Sequence, residues 1–250
     1  MAQSWEPEDR RAVVGLLEDP ARAAVAAAAA ERVQPGPTVG LGSGRAVWAT
    51  MELLARRADL TALRIVAAST ATERLARDCG FTVVALDGDV RPALYIDGAD
   101  EVAPDRSLLK GHGAALLREK LIAVASDRFV VVAEAAKRVR RLGEQRTLPV
   151  EVVGFGWADI RRRLRASFPE VSLRIDDGEP LRTDEGHLLL EIALPDDVDA
   201  ATVAGRLDGT VGVVEHGLFL GLADEVLLGH PDGTVEVLGS ARDGVATKRA

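Results

Sequence analysis

Apolar residues follow two rhythms along the first half of this chain. Short runs of strand length, Thr38–Leu41, Leu63–Ala68, Thr82–Leu86, Ala93–Ile96 and Arg128–Ala133, are dense in valine, isoleucine and leucine. Between them, residues 45–57, 71–79 and 114–125 repeat their apolar positions at helical spacing. Residues 7–33, rich in alanine, arginine and glutamate, read as helix with a break near Pro20, and Pro35-Gly36-Pro37 ends it. Ser69 or Thr70 is placed to cap the helix that follows. Strand alternating with helix predicts a parallel sheet with helices on both faces. Such sheets bind ligands at the carboxyl ends of their strands. Gly42–Arg45, Asp97–Asp100 and Lys137 all follow apolar runs, so they are expected on one rim although distant in sequence.

The rhythm changes after Leu148–Val152. Residues 158–168 form an arginine-rich helical stretch. Val171–Ile175 and Leu188–Ala193 look like strands, with Asp176-Asp177-Gly178 and Asp184-Glu185-Gly186 as turns between them. A helix over 197–207 and a strand pair from Gly212 to Phe219 complete a small α+β pattern. Glu225–Gly229 and Val235–Leu238 flank the turn Pro231-Asp232-Gly233. The last ten residues are small, polar and charged, and are expected to fray.

Composition narrows the function classes. The formal net charge of −8 argues against a broad nucleic-acid surface, which is normally basic, but leaves room for a small anion in a local positive pocket. No apolar stretch approaches the roughly 20 residues that span a bilayer, and no basic stretch followed by an apolar run opens the chain, so neither a membrane span nor a leader is expected. Cys79, the single cysteine, excludes an intrachain disulfide and fits a reducing cytoplasm. His112, His187, His216 and His230 lack ligand spacing with one another, so no metal is expected.

The basic residues are unevenly chosen. Arginine supplies 27 of 31, yet Lys110, Lys120 and Lys137, three of the four lysines, fall within 28 residues. Lysine is a compact point charge and arginine a planar fork, so the choice marks a candidate site. In the turn Gly40–Arg45, between strand and helix, backbone N–H groups and the positive helix end face an anion, and Arg45 adds a guanidinium. A dinucleotide site is disfavoured: the sixth position is arginine, and the strand Arg64–Ala68 leads into Ser-Thr with no carboxylate for a ribose. Packing alone is the plain alternative for these glycines. Asp97 and Asp100 lie three apart across Gly98-Ala99, where two carboxylates can divide acid and base roles, or simply cap a turn. Glu101 is expected to face solvent or cap the next segment. In Lys110-Gly111-His112-Gly113 the glycines allow close backbone approach to a ligand, and the lysine suits a developing oxyanion. Glu119, about one and a half turns into the next helix, suits a general base, the alternative being a surface pair with Arg118 or Lys120.

These segments together resemble ribose-5-phosphate isomerase, type A. The matching stretches are V-G-L-G-S-G at 39–44, Y-I-D-G-A-D-E at 95–101, L-K-G-H-G-A-A-L-L-R-E-K at 109–120, A-E-A-A-K at 133–137, L-P-V-E-V at 148–152, G-L-F at 217–219 and A-D at 223–224, in order over nearly the whole chain. The resemblance implies an α/β fold: a Rossmann-like, mostly parallel sheet domain (1–143 and 219–240) with a smaller inserted α+β domain (144–218), and 241–250 as a flexible tail. It implies a cytoplasmic aldose–ketose isomerase that interconverts ribose 5-phosphate and ribulose 5-phosphate through an enediol, in the non-oxidative pentose phosphate pathway. Neither metal nor cofactor is implied, the partner is a small sugar phosphate, and the assembly is a homodimer or homotetramer. Glu119 would move the proton between C1 and C2. Asp97 and Asp100 would hold hydroxyls and assist ring opening, and Lys110 would stabilise the enediolate oxygen. Ser43, Gly44, Arg45 and Ala46, with Gly98, Ala99, Gly111, His112, Gly113 and Lys137, would complete substrate binding. Two places depart from the pattern: many members read G-T-G-S-T where this chain has Gly42-Ser43-Gly44-Arg45-Ala46, and His112 interrupts a loop that is usually all glycine. A non-enzymatic sugar-phosphate sensor, an amino-sugar phosphate deaminase and a coenzyme A transferase are the alternatives. The D-G-A-D and K-G-x-G pair favours the isomerase.

Overall fold

A computed structural model describes residues 15–195 and 198–239. In chain order its elements are α1 (Pro20–Glu31), β1 (Val39–Leu41), α2 (Arg45–Ala55), β2 (Arg64–Ala67), α3 (Thr70–Asp78), β3 (Thr82–Val83), β4 (Leu94–Gly98), β5 (Glu101–Val102), β6 (Leu108–Leu109), α4 (Leu116–Ala125) and β7 (Phe129–Glu134). There follow β8 (Leu148–Val152), α5 (Trp157–Leu164), β9 (Val171–Leu173), β10 (Ile175–Asp176), β11 (Glu179–Pro180), β12 (Leu188–Ile192), α6 (Ala200–Asp208), β13 (Val213–His216), β14 (Leu218–Phe219), β15 (Glu225–Gly229) and β16 (Val235–Leu238). The chain makes two compact units, one from the described parts of 1–98, 122–136 and 224–250, the other from those of 99–121 and 137–223.

The first unit holds a seven-stranded sheet in the order β16-β15-β7-β4-β1-β2-β3. Every neighbouring pair is parallel except β15 and β16. The chain runs outward from β1 through β2 to β3, then returns to place β4 on the other side of β1. In sheets of this kind ligands bind beside such a reversal, at the carboxyl ends of the strands, here β1 and β4. Alternation along each strand sends side chains to opposite faces. Leu94 and Ile96 join one cluster with Val39, Val25 of α1, Met51 of α2 and Leu75 of α3. On the other face Tyr95 stacks at 4.8 Å on Phe129, and Ile122 of α4 closes over Gly40, where an added Cβ would lie 2.6 Å from it.

Pro20, expected as a break, is instead the first residue of α1: Asp19 caps the helix by accepting from Arg22 N–H at 3.0 Å. Proline is favoured there because its missing N–H has no partner in the first turn anyway. The helix expected over 7–33 otherwise falls partly on residues 7–14, outside the described residues. Ser69 is the α3 cap, accepting from Thr72 N–H at 3.1 Å. The run 82–86 pairs over Thr82–Val83 only, with one further bond from Val84 N–H to Ile65, as befits a strand at the sheet's edge.

The second unit is built on the antiparallel sheet β13-β8-β12-β9. Leu148, Val150 and Val152 of β8 pack with Leu190, Ile160 of α5 and Leu207 of α6. The expected strand Val171–Ile175 is split at Arg174: β9 stays in this sheet and β10 turns away to pair with β11. The expected pair within 212–219 is divided at Gly217, which sends β14 to β6 in the small sheet β14-β6-β5. Glu101, expected to face solvent or cap the next segment, is fully buried and binds a segment some forty residues on. Its carboxylate accepts from the backbone N–H groups of Gly143, Gln145 and Arg146 at 2.6–2.8 Å. The expected tail, 241–250, lies outside the described residues. Among the described residues no helix is long and apolar enough to cross a membrane.

Hydrogen bonds to a charged acceptor contribute about 1.5–3 kcal/mol each, and water can replace part of that where the donor is near the surface. Glu101→Ala is therefore expected to destabilise the protein by about 2–3 kcal/mol, read as a lower midpoint in urea unfolding.

Candidate active site

In the first unit the turn after β1 and the end of β4 are fastened together. Asp97, fully buried, accepts from Ser43 N–H at 3.2 Å and from Gly98 N–H at 2.7 Å through Oδ1, and the Tyr95 hydroxyl donates to Oδ2. An added Cβ on Gly42 would lie 1.8 Å from Asp97 Oδ1, so only glycine lets the turn approach this carboxylate. Thr72 Oγ1 donates to the Gly42 carbonyl at 2.8 Å, and Ser69 Oγ lies 3.1 Å from Ser43 Oγ. The turn is thus held from three sides while its own amides lead into α2. Gly44, at φ 114°, is the α2 cap and brings no side chain to the helix end; no acidic residue occupies the first turn. The first N–H groups of a helix have no intrahelical acceptor, and with the helix dipole they favour an anion. Arg45 is exposed beside them, and Ala46 is half-buried.

In the second unit Lys110 and Glu119 face each other. Lys110 Nζ stands 3.0 Å from Glu119 Oε2, and both side chains are within a few per cent of complete burial. The surface pairing considered for Glu119 does not occur. Lys110 is set by its backbone, whose N–H donates to Gly217 O at 2.8 Å, and Nζ lies 5.4 Å from the centre of the Phe219 ring. Gly217 is pressed so closely here that an added Cβ would fall 2.1 Å from the Lys110 carbonyl oxygen. Asp100, half-buried, accepts from His112 N–H at 3.1 Å. Gly111 takes φ 109° against Leu116 and Pro149, a conformation and a space that suit glycine. His112 is half-buried, Gly113 exposed, and Ala99 half-buried. Lys137, also half-buried, closes a short 3-10 turn after β7.

The neighbours on α4 are structural. Arg118 pairs with Glu185 at 2.5 Å. Lys120 donates to Glu215 Oε1 at 2.5 Å and to the His216 carbonyl at 2.7 Å, and its Nζ lies 5.0 Å from the Phe219 ring. Burial pushes the Lys120 ammonium below the usual lysine range, with Glu215 opposing. His216 accepts Leu218 N–H at Nδ1, which leaves Nε2 to donate to Asp208 at 3.2 Å. Burial first, then the Lys120 charge, lower its proton affinity. Asp208, Glu215 and His216 bring three ligand-type atoms within 4.8 Å of one another, a grouping that histidine spacing alone does not reveal. The Lys120 ammonium already lies among them, 3.5 Å from His216 Nδ1.

Sequence reading missed Tyr95, Phe219, Arg174 and Glu191. Arg174 donates to the carbonyls of Gly111 and His112, both at 3.1 Å. Nothing in its strand context distinguishes it from the other arginines; only the break between β9 and β10 marks the position.

A family model described as Ribose 5-phosphate isomerase A (phosphoriboisomerase A) matches residues 64–233. Ribose-5-phosphate isomerase A of Chloroflexus aurantiacus is 42% identical over 220 residues, 86% of this chain and 92% of the relative. That of Caulobacter vibrioides is 46% identical over 216 residues, 84% of this chain and 94% of the relative. Ribose 5-phosphate isomerase A of Methanocaldococcus jannaschii has a similar structure, with a TM-score of 0.83 at 29% identity, over 90% of this chain and 100% of that one. A D-ribose-5-phosphate isomerase in complex with phospho-erythronic acid gives 0.84 at 28%, over 89% and 99%.

Because a Cβ at position 42 must displace Asp97 or the turn, Gly42→Ala is expected to cost about 1–3 kcal/mol of stability, the range of an overpacked site, measured by thermal melting.

Proposed function

The chain belongs to the ribose 5-phosphate isomerase A family, and from that premise we propose that it interconverts ribose 5-phosphate and ribulose 5-phosphate through an enediol. The observation that carries the reading is the buried pair of Glu119 and Lys110 within the matched segment 109–120. Glu119 takes the C2 proton from the open-chain aldose, and the electron pair moves to the C1 carbonyl oxygen. Lys110 stabilises that oxygen as it gains charge. The O2 proton passes to O1, the C1–C2 double bond takes back the proton at C1, and the carbonyl is left on C2. No atom is gained or lost.

The ion pair suits this sequence of events. Without substrate each charge compensates the other away from water. An ammonium shared with the substrate oxygen holds the carboxylate less tightly, at the stage when a proton must be taken. Asp97 and Asp100 hold sugar hydroxyls and assist ring opening, Asp97 also bracing the turn Gly42–Ser43. The amides of Ser43, Gly44, Arg45 and Ala46 receive the phosphate, with Arg45 adding a guanidinium where the common family loop has hydroxyls. Gly98, Ala99, Gly111, His112, Gly113 and Lys137 complete the contacts. Phospho-erythronic acid, bound by the structural relative, supports a ligand of this kind, since it joins a phosphate to a carboxylate whose two oxygens resemble those of an enediolate. The reading places the enzyme in the cytoplasm, in the non-oxidative branch of the pentose phosphate pathway, as a homodimer or homotetramer.

Glu119→Gln removes the proton acceptor while keeping the shape, and is expected to lower kcat for ribose 5-phosphate by about 10²- to 10⁴-fold; near wild-type turnover would refute the assigned base. Arg45→Ala is expected to raise KM about five- to tenfold with kcat little changed, as for a contact made equally in ground and transition states. A KM equal to that of the wild type would remove Arg45 from the phosphate site.

A further inference from the structure

The loop Gly111–Gly113 is not held by its own backbone alone. Arg174 Nη1 donates to the carbonyls of Gly111 and His112, both at 3.1 Å. The same guanidinium is locked by Glu191, whose Oε1 accepts from Nε at 2.5 Å. Glu191 Oε2 accepts from Thr147 Oγ1 at 2.6 Å, and the Thr147 carbonyl lies 3.2 Å from His112 Nε2. A carbonyl can only accept, so Nε2 carries the proton. The contacts close a ring: His112, Arg174, Glu191, Thr147 and back to His112. The side chains of Arg174 and Glu191 are only 14% and 13% exposed, so their pair is weakly screened by solvent, while Thr147 is exposed.

We propose that Arg174, locked by Glu191, is a positioning residue that fixes the orientation of the loop's peptide groups for substrate. In a trans peptide the C=O and N–H point in opposite directions. Two carbonyls drawn to one guanidinium therefore turn the following N–H groups, those of His112 and Gly113, away from it. The first of these reaches Asp100 Oδ2. Lys110 is set independently, by Gly217 and Glu119, so Arg174 governs the binding amides and not the proton-transfer pair. The inference rests on the proposed substrate-binding role of residues 111–113.

The test uses the full chain with Arg174→Ala and Arg174→Lys. The backbone of residue 174 keeps its own bonds to Leu189 and Leu181, and lysine keeps the charge but lacks the fork needed to span two carbonyls and a carboxylate. Amide exchange without substrate is expected to quicken at His112 and Gly113 in both variants. KM for ribose 5-phosphate is expected to rise about tenfold with kcat within about threefold, the pattern of lost uniform binding. Millimolar guanidinium is expected to restore part of the KM of Arg174→Ala, which a merely destabilised fold would not allow. Unchanged exchange at the two amides, or failure of guanidinium to lower the raised KM, overturns the inference at Arg174. Quickened exchange with an unchanged KM overturns it through the loop's assumed part in binding. Absence of isomerase activity in the wild type strikes the proposed function and leaves the exchange result to be judged by itself.

Discussion

Two opposite charges taken out of water lose hydration that their attraction repays only when geometry is fixed and other partners are supplied. Lys110 and Glu119 are in that position, and the second unit is organised around meeting its terms. Lys110 is pinned through its N–H to Gly217, and the Phe219 ring lies within reach of its ammonium. Glu119 is carried on α4, whose neighbouring residues are tied down by Arg118 to Glu185 and by Lys120 to Glu215 and the His216 carbonyl. A helix free to rotate by a fraction of a turn would leave an uncompensated charge buried. The polar bonds along α4 oppose that rotation, together with the burial of Leu116 and Ile122.

Carboxylates elsewhere do similar work on the backbone. Glu101 gathers three amides of the segment 143–146, Asp97 joins two amides at the switch point of the sheet, and Asp224 accepts from Phe129 N–H at the foot of β7. In each case a charged acceptor holds backbone amides in a loop or at the end of a strand. Irregular segments and strand ends thereby gain definition that an apolar core could not provide, because apolar contacts are not directional.

What could be read beforehand was whatever depended on neighbours in sequence. The strands and helices of the parallel sheet were legible from their periodicity, and so were the turn at Gly42, the Asp97–Asp100 spacing and the lysine at 110. Burial decided the rest. Glu101 follows Asp100 directly and looks like a surface residue until residues 143–146 fold onto it. Lys120 and Lys110 belong to the same cluster of lysines, yet one braces a helix and the other faces Glu119. Pro20 reads as a break within a helix, and the Asp19 cap makes it a beginning instead. Arg174 had no local mark because its partners lie more than sixty residues upstream and seventeen downstream.

Gly217 has a further consequence. It lacks a side chain, titrates nothing and stands 107 positions from Lys110 in the chain, yet the space for even one methyl group is already filled by the lysine's own carbonyl oxygen. Every missense change of a glycine codon adds at least that carbon. A mutational scan scoring growth alone would rank this position with Lys110 and Glu119, and inhibitor design guided by such a scan would be aimed at an atom that is not there.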